Sequence, residues 1–213
     1  MATEQGASRN LAFWAGQFGS EYARRNPRDP ELVAAVARLW SDILARVPVG
    51  EIKRVVEVGA NVGITQLALQ RVLPAETWAV EPNPDARHAL VTERVVPPER
   101  VSDGDIVDLS PFEDRSFDLS LTSGVLIHIH PDDLARACRE LARVSGRWVA
   151  ILEYFANQPE TLPYRGHEGR LFKRDFGEFF LDTNPDFECI DYGFAWRRHT
   201  GMDNSTWFLF RRT

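Results

Sequence analysis

The feature that most constrains the fold of this chain is the alternation of short β-branched runs with longer segments of helical periodicity. The runs KRVVEVG, TWAVE, SFDLSLTS and GRWVAILEY are typical of buried strands. Between them, segments such as ITQLALQRVL and PDDLARACRELARV space their apolar residues as one face of a helix requires. Strands that alternate with helices of about 10 to 15 residues are typical of right-handed parallel βαβ units. The sequence therefore predicts an α/β fold with a mostly parallel sheet.

The last part of the chain departs from this alternation. The runs DFECIDYGFAW and TWFLFRR are both rich in β-forming residues, and the polar stretch RRHTGMDNS separates them. We expect these runs to form an antiparallel hairpin at one edge of the sheet. Before them, residues 155–175 form a polar stretch that contains Gly and Pro and lacks periodicity, which is typical of a functional lid.

Charge and composition narrow the range of partners. The net charge is -6 at pH 7 and no run is rich in Lys or Arg, so we expect no nucleic-acid partner. The longest uncharged stretch in the middle of the chain, residues 119–131, is shorter than the roughly 20 apolar residues of a membrane span. The N-terminus lacks the apolar segment of a secretory signal. These features predict a protein without a membrane partner.

Cysteine and lysine usage bear on where the protein works. Cys138 and Cys189 lie far apart within apolar patterns, which favours two reduced core thiols in a cytoplasmic protein. Among the 25 basic residues, all except Lys53 and Lys173 are Arg, a bias that indicates a GC-rich bacterial genome.

The first predicted strand ends in the run EVGANVG, where Gly59 and Gly63 allow a ligand to approach the backbone closely. A dinucleotide fingerprint that begins at Gly59 would require glycine at the positions of Asn61 and Ile64. The acidic Glu57 would repel a pyrophosphate but suits a ligand that carries an ammonium group. A tight turn with a purely structural role is the alternative.

The next two strand ends carry carboxylates. Glu81, followed by Pro82, can accept hydrogen bonds from both hydroxyls of a ribose. Asp105, followed by Ile106, can accept one from an adenine amino group. The alternatives are an acid that stabilises the start of the next helix for Glu81 and a merely acidic loop for Asp105. Because ligands of open α/β sheets bind along the carboxyl edge of the strands, we expect these residues at one site.

The order of an acid-glycine turn, a ribose acid and an adenine acid resembles the class I methyltransferases that use S-adenosylmethionine. More narrowly, the segments FWAGQFGSEYARRN, SGVLIHIHPDDL, ILEYF and PYRGHEGRLFKRDF resemble the methylase family associated with pseudaminic acid biosynthesis, over residues 13–210. The resemblance implies a Rossmann-like fold, a seven-stranded and mostly parallel sheet with an antiparallel C-terminal hairpin, and S-adenosylmethionine as the cofactor. It implies methyl transfer to O or N of a small polar, anionic acceptor, either a nonulosonic-acid-type sugar or a natural-product intermediate.

The length of 213 residues predicts a single domain, to which we assign four parts. These are an N-terminal helical cap (1–48), a cofactor-binding core (49–154), an acceptor lid (155–182) and the C-terminal hairpin (183–213).

Cofactor contacts are expected from two further parts of the sequence. Ser123 and Gly124 end the fourth strand, and Trp14, Phe18 and Tyr22 resemble the segment that closes over the cofactor in related enzymes. For that segment, an amphipathic helix that simply packs on the sheet is the alternative.

The candidate catalytic residues follow the fourth and fifth strands. His128 is the first candidate for a general base, and a histidine that only shapes the pocket through a hydrogen bond is the alternative. Glu153 and Tyr154 are expected to line the acceptor pocket, unless Tyr154 is buried with a structural hydrogen bond. Asp132 and Asp133 are interpreted as the N-terminus of a helix rather than a magnesium site, so we expect no metal.

A cluster of basic and aromatic residues in the predicted lid favours an anionic acceptor. Arginine binds carboxylate and phosphate groups in bidentate geometry. The alternative is a solvated surface run. The candidate acceptor-binding residues are Tyr164, Arg165, His167, Lys173 and Arg174.

Two other functions compete with methyl transfer. One is an NAD-dependent oxidoreductase, which Asn61 and Ile64 disfavour. The other is a non-catalytic module that binds the cofactor or a partner and transfers no methyl group.

Overall fold

A seven-stranded mixed sheet organises the protein in a computed structural model that describes residues 7–213. Residues 1–6 lie outside the described residues. They belong to the expected N-terminal cap and to the stretch in which no secretory signal is predicted. The strands are β1 (Arg54–Val58), β2 (Glu76–Val80), β3 (Val101–Ser102), β4 (Phe117–Ser123), β5 (Ser145–Glu153), β6 (Glu160–Tyr164), β7 (His167–Lys173), β8 (Phe187–Ala195) and β9 (Ser205–Arg212).

The sheet has the strand order β3-β2-β1-β4-β5-β9-β8. Strands β1 to β5 are parallel to one another, whereas β9 is antiparallel to β5 and β8 is antiparallel to β9. The predicted α/β fold, with a seven-stranded sheet and an antiparallel C-terminal hairpin, is therefore confirmed.

Among the described helices, four begin at a residue whose side chain caps the first turn, namely Asp29, Asn83, His130 and Asp175. The side chain of Asp29 accepts a hydrogen bond from the Glu31 amide at 2.8 Å, and Pro30 occupies the first helical position. The helices are α1 (Leu11–Ala15), α2 (Gln17–Arg25), α3 (Pro30–Ile43), α4 (Ile64–Val72), α5 (Pro84–Thr92), α6 (Pro131–Val144), α7 (Phe176–Thr183) and α8 (Arg197–Thr200). Within residues 7–213, no helix is long and apolar enough to cross a membrane.

The core lies on both faces of the sheet because successive strand residues point to opposite sides. Trp148 packs with Trp40 of α3 on one face, and Val149 packs with Phe180 of α7 on the other. All four side chains are almost completely buried. Burial of this apolar surface against helices on both faces fixes the strands, and with them the sheet edge at which the parallel strands end.

The segment 155–175 differs from the aperiodic stretch that we predicted. It contains the antiparallel hairpin β6–β7, whose turn at Arg165 and Gly166 has φ values of 49° and 84°. Pro163 sits at an irregularity in the pairing, and most side chains of the hairpin are at least partly exposed, so no clean apolar alternation marks the strands.

All of helix α7 except its last residue lies within the range 155–182 expected for the lid. Phe176 and Phe180 are buried in the core, so the end of the segment 155–182 is part of the packed domain. Whether the hairpin itself moves as a lid stays a prediction.

Candidate active site

A cavity of about 400 Å³ lies at the carboxyl ends of the parallel strands, under α1, α2 and the tip of the β6–β7 hairpin. Most of the predicted site residues line it. They are Trp14, Tyr22, Glu57, Gly59, Asn61, Glu81, Pro82, Asp105, Ile106, Ser123, Gly124, His128, Tyr154, Tyr164 and Arg165. The structure therefore brings the strand ends, the N-terminal segment and the hairpin tip together in one site.

The turn after β1 contains two glycines that a side chain could not replace, and only the first of them lines the cavity. Gly59 has φ 81°, and a Cβ atom there would lie 2.4 Å from Cγ2 of Val125, so the backbone is bare where it borders the cavity. Gly63 has φ 89°, and a Cβ there would meet Leu90 at 2.6 Å. Gly63 does not line the cavity, so the turn needs it for packing rather than for ligand contact.

Glu57 is a buried carboxylate at the end of β1. Its Oε2 accepts a hydrogen bond from Nε2 of Gln66 at 2.9 Å, and burial raises the pKa of Glu57 to about 8. A cation in the cavity would offset the cost of ionising this group. The site therefore fits a ligand with an ammonium group beside Glu57.

Glu81 is held in position by the backbone on both sides. Its Oε2 accepts from the Asn61 amide at 2.7 Å and its Oε1 accepts from the Asn83 amide at 2.8 Å. An ionised carboxylate has about four acceptor sites, so both oxygens keep capacity for the hydroxyls of a ribose. Burial raises the pKa of Glu81, and the two amide hydrogen bonds oppose that shift.

Asp105 and Asp103 occupy different environments, which separates a ligand acid from a merely acidic loop. Asp105 lines the cavity, where its Oδ1 accepts from the Val107 amide at 2.7 Å and its Oδ2 accepts from the Ser8 amide at 3.1 Å. Asp103 instead binds the Arg87 guanidinium through both oxygens, at 2.8 and 3.0 Å. Only Asp105 can meet a ligand in the cavity.

The N-terminal segment is fastened over the cavity by polar contacts. Nδ2 of Asn10 donates to the His128 carbonyl at 2.7 Å, and Nδ2 of Asn83 donates to the Trp14 carbonyl at 3.1 Å. Trp14 and Tyr22 line the cavity, as expected. Phe18 does not, because it stacks on Phe13 with ring centroids 4.1 Å apart.

His128 lies in a short 3-10 turn after β4 and contacts the rings of Trp14 and Tyr164, whose centroids are 4.6 and 4.7 Å away. Its Nδ1 is 2.6 Å from the Arg170 carbonyl oxygen. A carbonyl only accepts, so Nδ1 carries the proton and Nε2 carries the lone pair. Burial lowers the pKa of His128 to about 4, so the imidazole is neutral at pH 7.

Glu153 differs from the expectation that it lines the acceptor pocket. It is buried beneath the cavity, and its carboxylate accepts from the amides of Val125, Leu126 and Ile127 at 2.9, 3.0 and 3.3 Å. Burial raises the pKa of Glu153 to about 7. The Glu153 carboxylate therefore stabilises the turn that carries His128.

Tyr154 meets a residue that the sequence analysis missed. Its hydroxyl donates to Oδ2 of Asp203 at 2.6 Å, and both residues line the cavity. Asp203 lies between α8 and β9, in a polar stretch that we interpreted only as a hairpin connection. Its polarity was visible in the sequence, but its position beside β5 depends on the pairing of β9 with β5.

The predicted basic cluster is spread over different surfaces. Arg165 lines the cavity, whereas His167 packs on Phe18 with ring centroids 5.3 Å apart. Nζ of Lys173 lies 5.5 Å from the centroid of the Tyr154 ring without lining the cavity, and the Arg174 guanidinium lies 4.6 Å from the centroid of the Phe179 ring. Successive residues of a hairpin point to opposite sides, so a cluster in sequence is not a cluster in space.

Asp132 and Asp133 occupy the first turn of α6, as predicted. Among the described residues, no group of three or more His, Cys, Asp or Glu side chains could hold a metal ion.

Comparison with known proteins adds a family model and several structural likenesses. Residues 56–147, from β1 to the start of β5, match the model of a family described as a methyltransferase domain. Among solved structures, the chain is similar to 1,6-didemethyltoxoflavin-N1-methyltransferase from Burkholderia thailandensis, with 18% identity and a TM-score of 0.69 over 100% of this chain and 93% of that one. It is also similar to a SAM-dependent methyltransferase from Leishmania major, with 13% identity and a TM-score of 0.69 over 94% and 89%. No curated protein matches the sequence significantly.

The fold by itself does not define a reaction. The [4+2]-cyclase SpnF is similar to this chain as well, with 17% identity and a TM-score of 0.62 over 83% of this chain and 80% of that one. At these identities the likenesses show the fold, and the match to the methyltransferase domain supplies the class. The protein is an S-adenosylmethionine-dependent methyltransferase of the Rossmann-like, class I type.

Proposed function

We propose that this methyltransferase transfers a methyl group to an oxygen or nitrogen atom of a small, polar acceptor that carries an anionic group. One observation carries the proposal. A single cavity joins the strand-end residues Gly59, Glu81 and Asp105 to His128 and Arg165. A ligand held by the first three residues would extend toward the other two.

In this proposal the cofactor lies along the carboxyl edge of the sheet. Glu57 binds its ammonium group, Glu81 its ribose hydroxyls and Asp105 its adenine amino group. When bound, S-adenosylmethionine supplies an electrophilic methyl group on a sulfonium. The remaining tasks, which are orientation of the nucleophile, exclusion of water and removal of a proton, fall to the protein.

The acceptor is proposed to bind between the hairpin tip and the end of β5. Arg165 supplies the positive charge that would bind an anionic group. A hydrogen bond with the Tyr164 side chain raises the pKa of Arg165 above its ordinary value, so the guanidinium stays charged. His128 offers a neutral imidazole with a free lone pair as the base. Of the other predicted acceptor residues, His167, Lys173 and Arg174 contribute to the hairpin and its surroundings rather than to the cavity wall.

The chemical setting that we propose is small-molecule biosynthesis in the bacterial cytoplasm, with a nonulosonic-acid-type sugar or a natural-product intermediate as the acceptor. The segment PYRGHEGRLFKRDF supports the sugar, because it resembles the family associated with pseudaminic acid biosynthesis. The similar protein from Burkholderia thailandensis was solved with 1,6-didemethyltoxoflavin, which supports a small-molecule acceptor. Cys138 and Cys189 are free thiols, as suits a reducing compartment, but only Cys138 is a core thiol as expected, because Cys189 is exposed.

The test is methyl transfer from radiolabelled S-adenosylmethionine to small anionic compounds. We expect transfer to at least one carboxylated or phosphorylated sugar, and we expect Arg165→Gln to raise the acceptor KM about tenfold while the cofactor KM stays unchanged. Arg139→Gln is the matched control, because Arg139 is exposed on α6 and does not line the cavity. Cofactor binding without transfer to any compound would favour the non-catalytic module instead.

A further inference from the structure

The one proton of the Tyr154 hydroxyl is used in a hydrogen bond. The hydroxyl donates to Oδ2 of Asp203 at 2.6 Å, and a phenol has one proton to give. Burial and the Asp203 carboxylate together hold the pKa of Tyr154 above its usual range, so the phenol stays protonated at neutral pH. Toward the cavity, the oxygen of Tyr154 therefore offers lone pairs alone.

Contacts of Asp203 and its neighbours hold the carboxylate in position to accept the hydrogen bond from Tyr154. The backbone carbonyl of Asp203 accepts from Oγ of Ser205 at 3.1 Å, and its Oδ1 lies 3.5 Å from Nη1 of Arg197. The amide of Arg197 donates to Oδ1 of Asn204 at 2.8 Å, which ties the two ends of the connection together. The carboxylate faces a guanidinium through Oδ1 and accepts from the phenol through Oδ2.

His128, in the turn after β4, also keeps an acceptor and no proton for the cavity. Its Nδ1 donates to the Arg170 carbonyl, which leaves Nε2 with a lone pair and no proton. Arg165 has the opposite character, because a guanidinium only donates. The walls of one cavity thus combine two groups that only accept hydrogen bonds, Tyr154 and His128, with a cation that only donates them.

We infer that Asp203 is a positioning residue that selects the nucleophile: by taking the proton of Tyr154, it makes the site accept a hydroxyl or amino group and reject a carboxylate oxygen. This inference rests on the proposed function and narrows it. An amine can donate to both Tyr154 and His128, and a hydroxyl can donate its one proton to either of them, whereas a carboxylate oxygen would meet lone pairs on both. The anionic group of the acceptor faces Arg165 and is not the atom that is methylated.

The reaction balances with these groups. The nucleophile's oxygen or nitrogen forms the bond to the methyl carbon as the carbon–sulfur bond breaks and its electron pair stays on sulfur. The proton of the nucleophile goes to Nε2 of His128, and the products are a methyl ether or methylamine and the neutral thioether S-adenosylhomocysteine.

The chemical stability of the labelled product tests this inference. The probes are N-acetylneuraminic acid, glucuronic acid and glucosamine 6-phosphate, each of which offers an anion together with hydroxyl or amino groups. We expect label that survives mild alkali, as ethers and methylamines do. Label released by alkali as methanol marks a methyl ester and would overturn the inference while leaving methyl transfer itself established.

Two variants of Asp203 test the positioning role. Asp203→Leu frees the phenol proton, so we expect kcat to fall about tenfold or more and the share of alkali-labile product to rise. Asp203→Asn keeps a carbonyl that can accept this proton, so it should retain most of the activity. Cofactor affinity should be unchanged in both. The control is Glu188→Gln, at an exposed residue that pairs with Arg211 outside the cavity. Wild-type kcat and product in Asp203→Leu would contradict the inference.

A titration without any acceptor keeps the inference testable if none of the probes is methylated. The tyrosinate absorbance of the wild type minus that of Tyr154→Phe isolates Tyr154. We expect this phenol to ionise at a higher pH than an ordinary tyrosine, and at a lower pH in Asp203→Leu, where only burial and the neighbouring tyrosines still raise its pKa, than in the wild type. The other charges around it are Lys173, Tyr22 and Tyr164, and they are the same in both proteins. A phenol that titrates near pH 10 in the wild type would refute the role of Asp203, whatever the fate of the proposed function.

Discussion

The two ends of the cavity are built in different ways. At the end proposed to bind the cofactor, called the cofactor end below, Gly59, Glu81 and Asp105 each follow a parallel strand, and backbone amides hold both carboxylates. At the end proposed to bind the acceptor, called the acceptor end below, Tyr154 and Asp203 are far apart in the chain and meet through one hydrogen bond between their side chains. The order of the parallel strands therefore determines where the residues of the cofactor end lie, whereas contacts between individual side chains determine where those of the acceptor end lie. Substitutions at the two ends should therefore affect different kinetic constants.

The largest expected effect is at the acceptor end. His128→Ala should lower kcat by about 10² to 10⁴, as the loss of a general base does, while the affinity for S-adenosylhomocysteine changes little. Steady-state kinetics and calorimetry measure the two quantities. A loss of kcat below about tenfold would assign His128 a structural role and would remove the base from this end.

The pH profile of the wild type sharpens the same point. Because burial lowers the pKa of His128 to about 4, the base is present above that pH and is lost as pH falls through it. The rate should be flat with respect to this group between pH 6 and 9. Burial raises the pKa of Glu153 to about 7, so an inflection near the ordinary histidine pKa of about 6.5 must persist in Glu153→Gln before it shows that the imidazole is not buried as described.

At the cofactor end, Gly59→Ala should have the next largest effect. The new Cβ would lie 2.4 Å from Val125 at a φ of 81°, so we expect cofactor affinity to fall by roughly 2 to 3 kcal/mol. Gly50→Ala is the control, because Gly50 has φ 85° and nothing within 4 Å of a Cβ. If both variants lost affinity equally, backbone strain rather than contact at the cavity would explain the result.

Glu81→Ala should weaken cofactor binding by about 1 to 3 kcal/mol, because ribose hydroxyls would lose a charged acceptor. The amides of Asn61 and Asn83 would also lose their partner, so thermal unfolding must be measured alongside calorimetry. Unchanged affinity in a folded Glu81→Ala protein would remove Glu81 from the site.

The smallest expected effect is a proton balance. With its pKa raised to about 8, Glu57 is mostly protonated at pH 7, and an ammonium ligand would lower that pKa. Binding of S-adenosylhomocysteine at pH 7 should therefore release a fraction of a proton, measured by calorimetry in buffers of different ionisation enthalpy. Proton uptake, or the same release from Glu57→Gln, would contradict the placement of the ammonium beside Glu57.

The sequence predicted that the residues of the proposed cofactor end lie together because its signals there are local. A strand, a turn and the residue after the turn are adjacent in the chain, and parallel strands bring such ends to one edge. Gly63 is the exception, since its glycine serves contact with Leu90 and Val95 rather than the ligand. Glu153 also differed from prediction, because its three amide partners belong to a turn that follows another strand.

The acceptor end was less predictable because its contacts are distant in sequence. The β6–β7 hairpin lacks apolar alternation, and its left-handed turn uses Arg165 in a position that favours Asn or Asp. Asp203 reaches Tyr154 only through the pairing of β9 with β5, which composition does not reveal. The cluster of charges in the hairpin predicted several acceptor contacts, and only Arg165 and Tyr164 line the cavity.

A crystal structure of the protein with S-adenosylhomocysteine tests the central claim most directly, because that claim is the continuity of the two ends. The account predicts the ribose hydroxyls on Glu81, the adenine beside Asp105 and the sulfur directed toward His128 and Tyr154. A ligand whose sulfur points away from His128, or which binds outside this cavity, would contradict it.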